Sequence, residues 1–225
     1  LAGEVTAGIF VGDYDYVLDL LDRCYFPTRE GVANFHDNFV DALILAGEEK
    51  IAEGKVEQAV TLYKKAFTYP ENHQVFLVDE RATHDAQINY CLGEAYAALG
   101  QDAEAEKYWK LAAEQDYELK GSKDFRYWTG LALERLGRKA EAEAIFSALV
   151  ADGEAAVVTQ HVNFYGAEGT TGVTVDIINS AAYYTQALGH LGLGHRGKAK
   201  RLFAEVQRLK PDHLWANEFM KQFEK

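Results

Sequence analysis

The chain has two cysteines, three prolines and one methionine in 225 residues. Cys24 and Cys91 are far apart and lie in helical context, which argues against a disulfide framework and leaves two small buried thiols. So few prolines, with no long polar tract, argue against a flexible linker between separate domains. No apolar run approaches the roughly 18 residues of a membrane-spanning helix. Basic residues are the minority: 23 Lys and Arg against 35 Asp and Glu give a net charge of −12. That balance predicts no nucleic-acid partner and no anionic membrane surface, and it leans toward basic or neutral partners. Catalytic signatures are missing as well. There is no Gly-x-Ser-x-Gly, no cysteine in a nucleophile motif and no defensible carboxylate pair. No glycine-rich phosphate loop precedes a helix; residues 189–194 only imitate one. We therefore assign no catalytic residue, no cofactor and no metal. Of seven histidines, His190 and His195 stand five apart, off the i, i+4 spacing that puts two ligands on one helical face.

What the chain does have is a repeated helical grammar. Residues 92–112 read as two short helices back to back: Leu92, Tyr96 and Leu99 share one face of the first, and Ala105, Trp109 and Ala112 one face of the second. Gly100 stands where the chain must stop and reverse. Gly93 and Ala105 are small enough to let the two helices approach. The same order returns as Gly47, Gly54, Ala59, Tyr63; as Gly130, Gly137, Ala142, Phe146; and as Ala187, Gly194, Ala199, Phe203. In each copy the turn glycine follows the first small residue by seven positions. The second small residue follows five later, and the aromatic four after that. Gaps of 46, 37 and 57 residues separate the turn glycines, against about 34 in an uninterrupted array of such pairs. The units are regular inside and irregular between.

Taken in order, residues 1–28 read as a partial repeat, with Gly12-Asp13-Tyr14-Asp15 as its turn and any first helix before it short or truncated. Helix pairs follow over 31–69, 84–117, 124–151 and 179–210. Residues 71–83 form a first insertion, apolar enough at 73–78 to pack across the array. Residues 152–178 form a second, rich in Val, Thr, Ile and aromatics, which reads as either a β-hairpin or an ordered loop. Residues 211–225 carry Leu214, Trp215, Phe219 and Phe223 and read as a final capping helix. With 48% apolar residues, this predicts one all-α domain over 1–225 whose core lies between neighbouring helices. No signal peptide is visible, which favours the cytoplasm. The chain opens on Leu1 and not Met, so it reads as an excised piece whose targeting segment or upstream domain lies outside it.

The four copies resemble the tetratricopeptide repeat. The resemblance implies an α-α superhelix, a right-handed solenoid of about four helix pairs with two non-helical or mixed insertions. Four stretches, Cys24 to Gly31, Tyr69 to His73, His84 to Gly100 and Ala187 to Phe203, further resemble the tetratricopeptide region of large bacterial proteins with an upstream β-rich domain of unknown function. That family offers no catalytic residue to carry over.

In proteins of this type the first helix of each pair lines a concave groove, and the position three residues before the first small residue points into it. Here that position holds Ile44, Tyr90, Tyr127 and Tyr184. The three tyrosines either line the groove or pack within the array. Lining it, they would bring broad contact area and a hydroxyl to a ligand. Arg126 is placed to pair with a carboxylate, and Glu94 and Gln87 to meet a partner's backbone or amine; Asp41 and Glu48 add acid nearby. The resemblance also implies that an acidic peptide terminus is not the ligand. Where a carboxylate clamp needs Lys and Asn, this chain has Glu48, Glu94 and Leu131. The expectation is a non-catalytic scaffold that binds a peptide, a protein or a neighbouring domain of its own chain. The alternative is an accessory domain of a larger enzyme, for example one active on carbohydrate, whose catalytic part lies upstream. Homo-oligomerisation through Trp215, Phe219 and Phe223 is left open.

Overall fold

A computed structural model describes residues 1–26, 35–68, 70–73, 84–115, 124–159 and 175–224. Among them the protein is all-α, with eleven helices and no strand. The chain divides into two compact units, Leu1–Gly121 and Ser122–Lys225.

The first unit holds α1 (Ala2–Val11), α2 (Tyr14–Arg23), α3 (Phe35–Ala52), α4 (Val56–Lys65), α5 (Asp85–Ala98) and α6 (Asp102–Ala113). They join as pairs through Gly12, Gly54 and Gly100, each at φ between 69° and 81°. Only glycine adopts this left-handed backbone without cost, which is why the repeat keeps it there. The residue after each glycine donates its N–H to the carbonyl five residues back: Asp13 to Gly8 at 2.9 Å, Lys55 to Lys50 at 2.8 Å, Gln101 to Tyr96 at 2.9 Å. The carboxylate of Asp13 also accepts from the Tyr16 N–H at 3.3 Å and caps α2. α1, a ten-residue helix, is the partner of α2. Val5, Val17 and Leu21 hold the repeat's offsets around Gly12, and all three are wholly buried.

The spacing of the repeat is a physical contact. A Cβ added at Gly47 would lie 2.2 Å from the Tyr63 ring, and one at Gly93 2.3 Å from the Trp109 indole. The small residue of the first helix is the seat for the aromatic of the second. Beyond this seam the core runs through Phe39, Leu43, Ile44, Ile88 and Leu92. A polar clasp closes the end of α2. The Asn72 amide donates to the carbonyls of Leu21 at 2.7 Å and Cys24 at 2.6 Å, and His73 Nε2 lies 2.8 Å from the Leu21 carbonyl. Phe26 and His73 meet in an isolated parallel bridge. Residues 74–83, the rest of the first insertion, lie outside the described residues.

The second unit holds α7 (Arg126–Arg135), α8 (Lys139–Ala156), α9 (Val175–Gly192), α10 (Arg196–Leu209) and α11 (Leu214–Lys221). Gly137 and Gly194 make the same left-handed turns at φ 76° and 75°. Phe146 of α8 is held between two glycines: a Cβ at Gly130 of α7 or at Gly192 of α9 would each fall 2.3 Å from its ring. The α8–α9 seam is closer still, backbone against backbone. A Cβ at Gly153 would meet the Ala182 carbonyl oxygen at 2.6 Å, and one at Gly189 the Phe146 carbonyl oxygen at 2.6 Å. α8 continues to Ala156 and α9 begins at Val175, so both ends of the second expected insertion are helical. Val158 is tied to α9 by two bonds to the Asn179 side chain, at 2.9 and 3.0 Å. Residues 160–174, where the hairpin-or-loop question falls, lie outside the described residues.

Candidate functional site

The residues singled out for the groove fall into two groups with different surroundings. In the first unit Tyr90, Gln87 and Glu94 all lie on α5. Tyr90 is half-buried. Glu94 accepts a hydrogen bond from the Trp109 indole N–H at 3.1 Å, so part of its work is to hold α6 against α5. Gln87 is 1% exposed. Ile44, the matching position on α3, is wholly buried. Glu48 is exposed, and Asp37 and Asp41 are half-buried on the same helix.

Beside these carboxylates is a set of buried imidazoles. His84 has Asp37 at 3.8 Å and Asp41 at 3.9 Å, yet burial dominates and pushes it down to about 4. His36 is likewise pushed down to about 4, first by burial and then by the charge of His73. Burial also lowers His73, whose ring packs edge-on against Phe26 and Phe39 at 5.6 and 5.1 Å. These rings are neutral at pH 7 and structural in setting. Among the described residues, no group of three or more His, Cys, Asp or Glu side chains is arranged to hold a metal ion.

In the second unit Arg126 is ion-paired with Asp152 of α8, so its carboxylate partner is internal. Tyr127 and Tyr184 are 6% and 8% exposed. Both pack against α11. Phe219 lies 5.7 Å from Tyr127, 6.4 Å from Tyr184 and 5.2 Å from Phe203, stacked on the last at 10°. Trp128 stacks on Phe219 at 6.2 Å and meets Trp215 edge-on at 6.4 Å. His213, at the start of α11, sits 4.4 Å from Tyr184 and is pushed down to about 4 by burial. Tyr127 and Tyr184 are thus buried against α11. The signal for this was present as Trp215, Phe219 and Phe223 at i, i+4 and i+8, a helix with one aromatic stripe. Nothing in the sequence said which helices the stripe would meet.

The structure also brings together a pair that sequence spacing kept apart. His190 and His195 face each other across the Gly194 turn with their Nδ1 atoms 3.4 Å apart. The i, i+4 rule applies to a continuous helix, and here the helix ends between the two residues.

No protein-family model and no curated protein matches the chain. Among solved structures it is similar to YrrB, described as a TPR protein with an unusual peptide-binding site. The likeness has 16% identity and a TM-score of 0.33, over 96% of this chain and 88% of that one. Among the described residues, five left-handed glycine turns and the small-residue seats for aromatics make the protein an all-α chain of helix pairs.

Proposed function

We propose that the protein is a non-catalytic interaction scaffold whose first-helix faces hold a peptide, a protein surface or a neighbouring domain of its own chain. The observation that carries this reading is α11. It lays Phe219 against Tyr127 of α7 and Tyr184 of α9, the positions that the repeat assigns to the inner face. An amphipathic helix with an aromatic anchor is therefore an occupant these faces accept. With α11 seated, the second unit uses its inner tyrosines on itself. The face proposed for a partner is that of α3 and α5 in the first unit, helices that carry Asp41, Glu48, Tyr90 and Glu94. A basic or neutral partner fits that chemistry, in keeping with the net charge of −12.

The test is capture from the native host, comparing the wild-type chain with a Tyr90→Ala, Glu48→Lys variant of matched helical signal and melting temperature. A partner held by the wild type and lost from the variant supports the reading. The same partners captured by both, or none by either, overturns it.

A further inference from the structure

The five turns share one geometry, and it fixes which side chains meet. In each, the residue after the left-handed glycine donates its N–H to the carbonyl five residues back: Asp13 to Gly8, Lys55 to Lys50, Gln101 to Tyr96, Arg138 to Leu133 and His195 to His190, all between 2.8 and 2.9 Å. The backbone therefore holds these two positions side by side. Only the last turn puts an imidazole at both. There the His195 N–H bond to the His190 carbonyl is 2.8 Å, Gly194 donates to Leu191 at 3.0 Å, and Leu193 donates to Gly189 at 3.0 Å. Gly189 is locked in the α8 seam, which anchors the α9 side of the turn.

We propose that His190 and His195 form a two-imidazole chelate for a divalent transition-metal ion, zinc or copper by ligand type. The Nδ1 atoms are 3.4 Å apart and the ring centroids 5.5 Å. Two nitrogens each about 2.0–2.1 Å from an ion at a tetrahedral angle span about the same distance. Imidazole is a ligand for zinc, copper and nickel and a poor one for magnesium or calcium. His190 is half-buried and His195 exposed, so an ion reaches the pair from solvent, and water completes its coordination. Two charged groups act on His190 from outside the pair. Glu154 of α8 favours positive charge there, while Lys198, on the first turn of α10, opposes it. Lys198 keeps the site modest in affinity, and its removal strengthens it. A bound ion would staple the end of α9 to the start of α10 and stiffen the turn.

The test uses the full chain without a histidine tag. Zinc binding is followed by calorimetry, and cobalt(II) by the visible absorption that a four-coordinate site gives. The expected result is one ion per chain, with the melting temperature raised by zinc. His190→Gln or His195→Gln should each weaken binding by at least about tenfold, since each removes half of the protein's ligands. Lys198→Gln should tighten it. Matched helical signals show that the variants fold. Zinc bound equally by the wild type and the His190→Gln, His195→Gln double variant overturns the proposal, as does the lack of any saturable binding by the wild type.

Discussion

Gly189→Ala tests the close seam on which the second unit is built. In an isolated helix the change would help, because alanine loses less backbone freedom on folding, a gain of about 0.5–1 kcal/mol. In this fold the new Cβ falls 2.6 Å from the Phe146 carbonyl oxygen and 2.8 Å from both the backbone nitrogen and Cγ2 of Val150. Two of the three obstacles are backbone, so no rotamer change clears them. Restoring ordinary contact means parting α8 from α9 by roughly 0.7 Å, and a gap of that size forfeits a quarter to a half of each dispersion contact along the seam. Overpacking of this kind costs about 1–3 kcal/mol, so the net loss is about 1–2 kcal/mol. Gly197→Ala is the control. It lies in the first turn of α10, and an added Cβ there meets nothing within 4 Å. It should leave stability unchanged or raise it by up to about 1 kcal/mol. The assay is urea unfolding followed by far-ultraviolet circular dichroism, with calorimetry for the melting temperature. At about 2–4 °C per kcal/mol for a chain of this size, Gly189→Ala should melt several degrees below the wild type. A Gly189→Ala protein as stable as Gly197→Ala would refute the argument that backbone contact fixes this seam.

Other perturbations follow from the same contacts. His36, His84 and His213 are each held at about 4, below the ordinary histidine value. The unfolded chain therefore binds more protons than the folded one as pH falls from about 6.5 toward 4, and stability falls with it. Between pH 7 and pH 5 the loss should approach about 2 kcal/mol per buried histidine, read as a lower urea midpoint. A His84→Gln variant with an unchanged pH slope would refute this for that residue. Phe219→Ala removes the ring that joins α11 to Tyr127, Tyr184 and Phe203, and should cost about 3–5 kcal/mol. Trp128 and Trp215 should then report solvent through a red-shifted emission; unshifted emission and stability would mean that α11 is not held by that ring.

The helix pairs were legible in the sequence because what makes them is local. A left-handed glycine, a small residue seven positions before it and an aromatic nine after it are joined by one turn and one contact, as in Gly93 beneath Trp109. The sequence marked those positions directly, and the turns at Gly54, Gly100, Gly137 and Gly194 lie where it placed them. The surroundings of the candidate residues were less legible. A position on a helix face says where a tyrosine points, while what covers it depends on where a distant segment comes to rest. α11 covers Tyr127 and Tyr184, and Arg126 finds its partner in Asp152 on the next helix.

Local stereochemistry, then, determined the five turns, the pairing of consecutive helices and the all-α class, because glycine's left-handed backbone and the seat for an aromatic ring act over a few turns of chain. Tertiary structure alone decided that α8 and α9 touch through Gly153 and Gly189, that α11 packs on Tyr127 and Tyr184, and that the carboxylates of α3 lie beside buried imidazoles. Each of these is a contact between segments whose meeting is set by the packing of whole helices. Apolar stripes and small residues permit many such meetings, and burial of the greatest complementary surface selects one.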